Sequence, residues 1–161
     1  MKIEVRNATL EELDTLLAWR MQVLSEVFSF PEAADCIALR TKNEAYYKEH
    51  LAKGSHTACF ALNGDNEQII GCGGICYQAE MPSPDNPSGQ NGYLMNIYTL
   101  PEFRGKGIGR KIVAFLIADA RRKGTEKIYL ESSPPAKNLY HKIGFTDMTD
   151  YMKLIGLNEA T

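Results

Sequence analysis

The sequence predicts one mixed α/β domain of the α+β kind, built on a largely antiparallel twisted sheet flanked by helices. Three observations carry this expectation. Runs with strand-like alternation and runs with helical periodicity take turns along the chain. A hairpin closes in the first half at Asn63-Gly64-Asp65-Asn66. A strand, helix and strand between Tyr93 and Glu131 supply a parallel pair joined by a right-handed crossover. With 161 residues, 44% of them hydrophobic and 24% charged, the chain reads as a single domain over 1–161 that can bury a sizeable core.

Taken in order, Ile3-Glu4-Val5-Arg6 alternates as a first strand, and Thr9-Leu10-Glu11-Glu12 is a capping box opening a helix through about Trp19. Residues 21–53 read as one or two further helices, with a break at Phe28-Ser29-Phe30-Pro31, because the residue before proline resists the α region. His56 to Leu62 and Gln68 to Gln78 are the hairpin strands, and Gly71, Gly73 and Gly74 in the second suggest a bulge or a close backbone approach. The proline-rich stretch 80–91 is a surface loop, read as either a tolerated insertion or a lid over a substrate. Tyr93 to Thr99 is the central strand. Ile108, Ile112, Phe115 and Leu116 then recur at helical spacing, and Arg121-Arg122-Lys123-Gly124 ends that helix with cations and a C-terminal glycine. Glu126 to Glu131 is a strand, Pro135 to Lys142 a short helix and Phe145 to Ile155 a final strand.

Composition narrows the function classes. The net charge of −2 conceals an asymmetry: residues 1–103 carry 7 Lys/Arg against 14 Asp/Glu, and residues 104–161 carry 11 against 6, so −7 and +5 sum to −2. Such a division suits a protein that holds a polyanion at one end and receives a cation at the other, and the overall acidity disfavours nucleic acid as a partner. No apolar run reaches the roughly 18 residues of a spanning helix, and the start reads as a strand instead of a signal peptide, so no membrane is expected and cytoplasm is the default. Cys36, Cys59, Cys72 and Cys76 form no C-x-x-C pair and read as small buried thiols, and the three histidines are scattered, so no metal is expected.

The most telling stretch is Arg104-Gly105-Lys106-Gly107-Ile108-Gly109, set between the central strand and an amphipathic helix. Amides at a helix start lack intrahelical partners and carry the positive end of the macrodipole, so they cradle a phosphate where no Cβ intervenes. Arg104, Lys106, Arg110 and Lys111 add charge suited to several phosphates. Spacing excludes two other phosphate motifs. A Walker loop needs Lys-Ser/Thr where Arg110-Lys111 stands, and G-x-G-x-x-G needs a glycine at Arg110.

The order Arg-x-x-Gly-x-Gly after a strand resembles the acyl-CoA-binding motif of the GCN5-related N-acetyltransferases. Downstream, Ala136-Lys137-Asn138-Leu139-Tyr140-His141-Lys142-Ile143-Gly144-Phe145 resembles the family's other signature, a short helix with a tyrosine before a Gly-Phe turn. The resemblance covers residues 92–146 closely and the rest in pattern. It implies a GNAT-like domain whose sheet splays at the cofactor site, and acetyl-CoA as cosubstrate, with coenzyme A as product. The pantetheine arm is expected along Ile97, Tyr98 and Thr99, meeting backbone at Ile97 and Thr99. The pyrophosphate is expected on Arg104, Gly105, Lys106, Gly107, Ile108, Gly109 and Arg110. Ser133 and Asn138 are further candidate contacts, although Ser133 stands where many members have asparagine.

The resemblance also implies acetyl transfer to a primary amine of a small molecule by direct attack, with Tyr140 as the acid for the departing thiolate; packing of that ring against the cofactor is the alternative role. A general base is not evident, because Met95-Asn96 occupies the strand where members often carry glutamate. A water relay is the preferred substitute, with Glu131 and Tyr98 as the other candidates. The amine pocket is expected from residues 21–53 and the loop 80–91, where Phe28, Phe30, Tyr46 and Tyr47 could form an apolar wall or belong to the core. A protein or peptide acceptor and a non-catalytic acyl-CoA sensor remain open alternatives, and a homodimer is compatible with all of them.

Overall fold

The computed structural model describes residues 1–28 and 33–156. Met1–Glu131 packs as one unit and the residues from Ser132 onward as another. In the first unit five strands lie in chain order: β1 (Ile3–Asn7), β2 (His56–Asn63), β3 (Gln68–Ala79), β4 (Gln90–Thr99) and β5 (Lys127–Leu130). The first four pair antiparallel and β4 pairs with β5 in parallel, as the strand, helix, strand order predicts. The mixed fold class is therefore borne out.

Adjacent β3 residues show the two faces of the sheet. A Cβ built on Gly73 would meet Ile112 Cγ2 at 2.4 Å, so this face lies under α3 (Ile108–Arg122). A Cβ on Gly74 would meet His56 Nε2 at 2.7 Å, on the face where α1 (Leu13–Val27) and α2 (Ala33–Lys53) pack. The expected close approach at these glycines is thus observed. Replacing Gly73 by alanine should cost about 1–3 kcal/mol, since the added methyl must displace Ile112 and Ile97 in a packed layer. Urea unfolding checks this, and an unchanged midpoint would show that α3 can shift freely.

The first helix differs from expectation in length. It opens as one turn of 3-10 helix over Leu10–Glu12, where the Thr9 amide donates to Glu12 Oε2 at 3.2 Å, and then continues as α1 through Val27 instead of stopping near Trp19. Leu16, Leu17, Val23 and Leu24 are buried along its inner face, and nothing between Trp19 and Met21 breaks the helix. Phe28 is extended, which places a helix end where the proline rule put the break; Ser29, Phe30 and Pro31 lie outside the described residues.

The hairpin turns as expected, with the Asn63 carbonyl accepting from the amides of Asn66 and Glu67. The following loop is shorter than the expected 80–91, because β4 begins at Gln90. Its order comes from Glu80, which accepts from Asn86 Nδ2 (2.8 Å), Asn91 Nδ2 (2.6 Å) and Lys127 Nζ (2.9 Å). These hydrogen bonds, Asn86 and Asn91 ahead of Lys127, pull the Glu80 carboxyl down to about 2. These contacts tie the segment to the start of β4 and to β5.

α3 ends as its sequence indicates. Lys123 caps it, Gly124 adopts a φ of +73°, and the Lys123 ammonium donates to Thr57 Oγ1 at 3.0 Å. Those cations serve the helix end and the buried Asp119, which accepts from Tyr77 and Thr57 at 2.6 and 2.7 Å.

In the second unit a turn of 3-10 helix (Pro134–Ala136) leads into α4 (Lys137–Ile143), which closes on Gly144 at a φ of +118°. The strand expected over Phe145–Ile155 is not formed. Thr146 to Asp150 alternates poorly, aspartate is a weak strand former, and Asp147 is held locally by Lys137 and His141, each at 3.2 Å.

Candidate active site

The site is built on β4, whose two ends do different work. Asn91 to Leu94 pair with Lys127 to Leu130 of β5, but β5 stops there, so among the described residues Met95 to Thr99 have no partner strand on that side. On the other side β4 stays paired with β3 through Thr99. The expected splay is therefore observed.

Within the open half, Asn96 adopts a left-handed φ of +59°, and the register jumps from Gly74↔Met95 to Cys72↔Tyr98. β4 thus carries one residue more than β3 across the interval, which is a bulge. Strict alternation would put Met95 and Tyr98 on opposite faces. The bulge puts both on the α1/α2 face, where Cys76 Sγ meets Met95 Sδ at 3.3 Å and the Tyr98 ring stands 6.1 Å from Trp19. Sequence reasoning expected a bulge near the β3 glycines, and β3 does carry one extra residue against β2 just before Gly71, where the register passes from Leu62↔Ile69 to Ala61↔Gly71; the second irregularity, opposite Gly73, is carried by β4. Asparagine is one of the few side chains that tolerate this conformation, and that was the available signal.

Beyond Thr99 the chain makes a turn at Pro101–Phe103 and then the glycine loop. Gly105 and Gly107 take φ of +78° and +79°, and among the described residues no atom beyond the adjoining chain lies within 4 Å of a Cβ built on either. Gly107 is the N-cap of α3, and the first helical bond runs from the Lys111 amide to the Gly107 carbonyl at 3.2 Å. The amides of Ile108, Gly109 and Arg110 precede that bond and are free to face an anion. Ile108 is buried and anchors the turn, while Gly105, Lys106, Gly107 and Arg110 are exposed. An open cradle of amides at the end of an unpaired strand flank fits a ligand with an extended arm and phosphates.

Two expected cations are committed elsewhere. Lys111 Nζ donates to the Ile3 carbonyl at 3.1 Å, so it ties α3 to β1. Arg104 turns back onto the strand: its Nε donates to the Thr99 carbonyl at 3.1 Å, its Nη2 pairs with Glu26 Oε2 at 3.3 Å, and its guanidinium lies over the Tyr98 ring. Glu26 also accepts from the Tyr98 hydroxyl. Burial first, and then this carboxylate, raise the Tyr98 pKa, so the phenol stays protonated. Sequence reasoning missed Glu26, which nothing distinguishes from other helix glutamates 72 residues away from Tyr98.

Of the aromatics, Tyr47 is buried in the core with Leu17, Phe60 and Tyr98, whereas Phe28 is exposed; Phe30 is outside the described residues. Tyr46 is half-buried, with its hydroxyl 3.0 Å from His56 Nδ1 and 2.8 Å from Cys76 Sγ. Arg20 approaches from α1, donating to Asn43 Oδ1 at 3.2 Å and Asn96 Oδ1 at 3.0 Å, so it braces the bulge. Burial, assisted electrostatically by the neighbouring His50 and Arg20, pushes His56 down to about 4.

A stability consequence follows from that shift. Between about 6.5 and about 4 the unfolded chain binds a proton at this histidine that the folded chain does not, so stability should fall as pH drops through that window and then level off. The loss is on the order of 3 kcal/mol. Denaturant curves at pH 7, 5.5 and 4 for wild type and His56→Gln check this, and a variant with the same pH slope would assign the loss to other groups.

In the second unit Tyr140 is buried and packs edge-on against Phe145 with ring centroids 5.8 Å apart, and its hydroxyl makes no hydrogen bond among the described residues. Burial raises its pKa, so the hydroxyl holds its proton at neutral pH. Ser133 and Asn138 are exposed, at the entry to α4 and within it, and Glu131 is exposed just after β5.

Residues 20–145 match the Acetyltransferase (GNAT) family. The chain belongs to that family. The structure is similar to that of a predicted acetyltransferase with acetyl-CoA from Clostridium acetobutylicum, with a TM-score of 0.85, 26% identity and 98% of each chain covered. In sequence, this GNAT chain is 38% identical over 66 residues to thialysine N-epsilon-acetyltransferase of Mus musculus, a match spanning 39% of each protein. It is 39% identical over 57 residues to the ribosomal protein bS18-alanine N-acetyltransferase of Haemophilus influenzae, covering 34% of this chain and 39% of the relative. The match thus spans about two fifths of the length of these curated relatives. Among the described residues, no helix is long and apolar enough to cross a membrane.

Proposed function

We propose that this GNAT chain transfers an acetyl group from acetyl-CoA to a primary amine of a small molecule by direct attack. The observation that carries the reading is the unpaired flank of β4 running straight into two left-handed glycines ahead of α3. Bound acetyl-CoA supplies a thioester as acyl donor and a thiol as leaving group. Main chain at Ile97, Tyr98 and Thr99 receives the pantetheine arm as an added strand would be received. The amides from Gly105 to Arg110 take the pyrophosphate, helped by Arg104 and Lys106, with Ser133 and Asn138 contributing further along the ligand.

Tyr140 holds the proton that the departing sulfur takes, and its burial keeps that proton in place until the carbon–sulfur bond breaks. The amine must arrive neutral, and a water relay removes its proton past the polar groups of the α1/α2 face. Likeness to a thialysine acetyltransferase supports a small amine. Likeness to a ribosomal-protein alanine acetyltransferase favours a peptide N-terminus as the second reading. A panel of small amines and short peptides, assayed for free thiol release from acetyl-CoA, separates them. Small amines are expected to be turned over with the higher kcat/KM. Thiol release with peptides alone selects the second reading, and acetyl-CoA binding with no release from any acceptor selects a sensor.

A further inference from the structure

Arg104 carries two competing attachments in this structure. It belongs to the loop that the proposed function gives to the pyrophosphate, yet its guanidinium is drawn to Glu26 at the last turn of α1, 3.3 Å away, and to the Thr99 carbonyl. Glu26 in turn holds the Tyr98 hydroxyl, to which Gln22 Nε2 also points at 3.4 Å. Glu26 is therefore the carboxylate on the α1/α2 side of the open half of β4, at 40% side-chain exposure. One guanidinium cannot serve a pyrophosphate and this carboxylate at once, because both take the same fork, and the phosphates carry the denser charge.

We propose that Glu26 is the docking group for a cationic acceptor, and that Arg104 masks it until an anion in the glycine loop draws Arg104 away. The inference rests on the acetyl-CoA reading and deepens it by naming the acceptor class: an amine carrying a second positive charge. Free of Arg104, Glu26 keeps one oxygen on Tyr98 and offers the other to an ammonium group. The acidic balance of residues 1–103 adds a favourable field for such a cation. An uncharged molecule of the same length gains nothing from the charge of this carboxylate.

The test is calorimetric and needs no turnover. Coenzyme A is titrated into wild type and Glu26→Gln. 1,4-Diaminobutane and the uncharged 1,4-butanediol are then titrated into each protein with and without coenzyme A. Removing an exposed ion-pair competitor should tighten coenzyme A binding to Glu26→Gln by about 2- to 5-fold. In wild type, coenzyme A should tighten 1,4-diaminobutane by a similar factor and leave uncharged 1,4-butanediol unchanged, and Glu26→Gln should abolish the gain. Arg104→Met, with the mask removed, should bind the diamine without coenzyme A as tightly as loaded wild type does.

Diamine affinity that is equal in free and loaded wild type, or that survives Glu26→Gln, overturns the inference while leaving the cofactor reading intact. Undetectable diamine binding to the loaded wild type does the same. Coenzyme A that fails to bind wild type overturns the cofactor reading, and this inference falls with it.

Discussion

Tyr140→Phe should bind acetyl-CoA as wild type does while turnover falls about 10²- to 10⁴-fold, the range over which a positioned general acid contributes. The substitution keeps the ring that packs on Phe145 and removes only the hydroxyl, which makes no hydrogen bond among the described residues. Stability should therefore change little, and a lower rate cannot be ascribed to unfolding. A thiolate leaving group with a pKa near 8.5 can depart without help, which is why the expected loss is a few orders of magnitude and not complete inactivity. The measurement is single-turnover thiol release, so that product release does not hide the chemical step. Undiminished single-turnover rates would assign Tyr140 to packing alone.

Gly107→Val should weaken acetyl-CoA binding by about 100-fold, which corresponds to one or two charge-assisted amide contacts. The protein leaves room for the new side chain, because nothing lies within 4 Å of a Cβ built there. Two other penalties act instead. A β-branched residue resists a φ of +79°, so the turn moves out of its left-handed conformation and the amides lose their common aim. Where the turn holds, the branched carbons occupy the space over the cradle. Thermal unfolding separates the penalties, since strain lowers Tm without ligand and obstruction does not. Added salt should also weaken binding to wild type, because part of the attraction is between charges. If Gly107→Val binds acetyl-CoA like wild type, the anion site lies elsewhere.

What could be read from sequence was local. Apolar positions at helical spacing give α3, three glycines after a strand give the turn, and Asn-Gly-Asp-Asn gives the hairpin, because each depends on residues a few positions apart. What could not be read was settled by distant partners. Lys111 looks like a phosphate ligand until β1 presents the Ile3 carbonyl 108 positions away. Glu26 acquires meaning only when the bulge turns Tyr98 toward α1. The period of two that identifies a strand assumes no insertion, so Asn96 defeats the very rule that located β4. Residues 145–155 failed differently: enough β-formers to suggest a strand, but a strand exists only with a ladder, and sequence does not show whether one is available.

The order of the sheet makes β4 an interior strand, yet over Met95–Thr99 one flank is an edge. Bare edges are templates on which another polypeptide can add itself, and this one must stay bare if it is to receive a ligand arm. Natural sheets blunt such edges with charges, prolines or bulges that twist the strand away from a straight partner. Asn96 supplies the bulge and Pro101 stands just past the far end, two of the devices that work against a straight partner strand. The same residue that turns Tyr98 toward α1 thus also interrupts the one flank of β4 on which another chain would add.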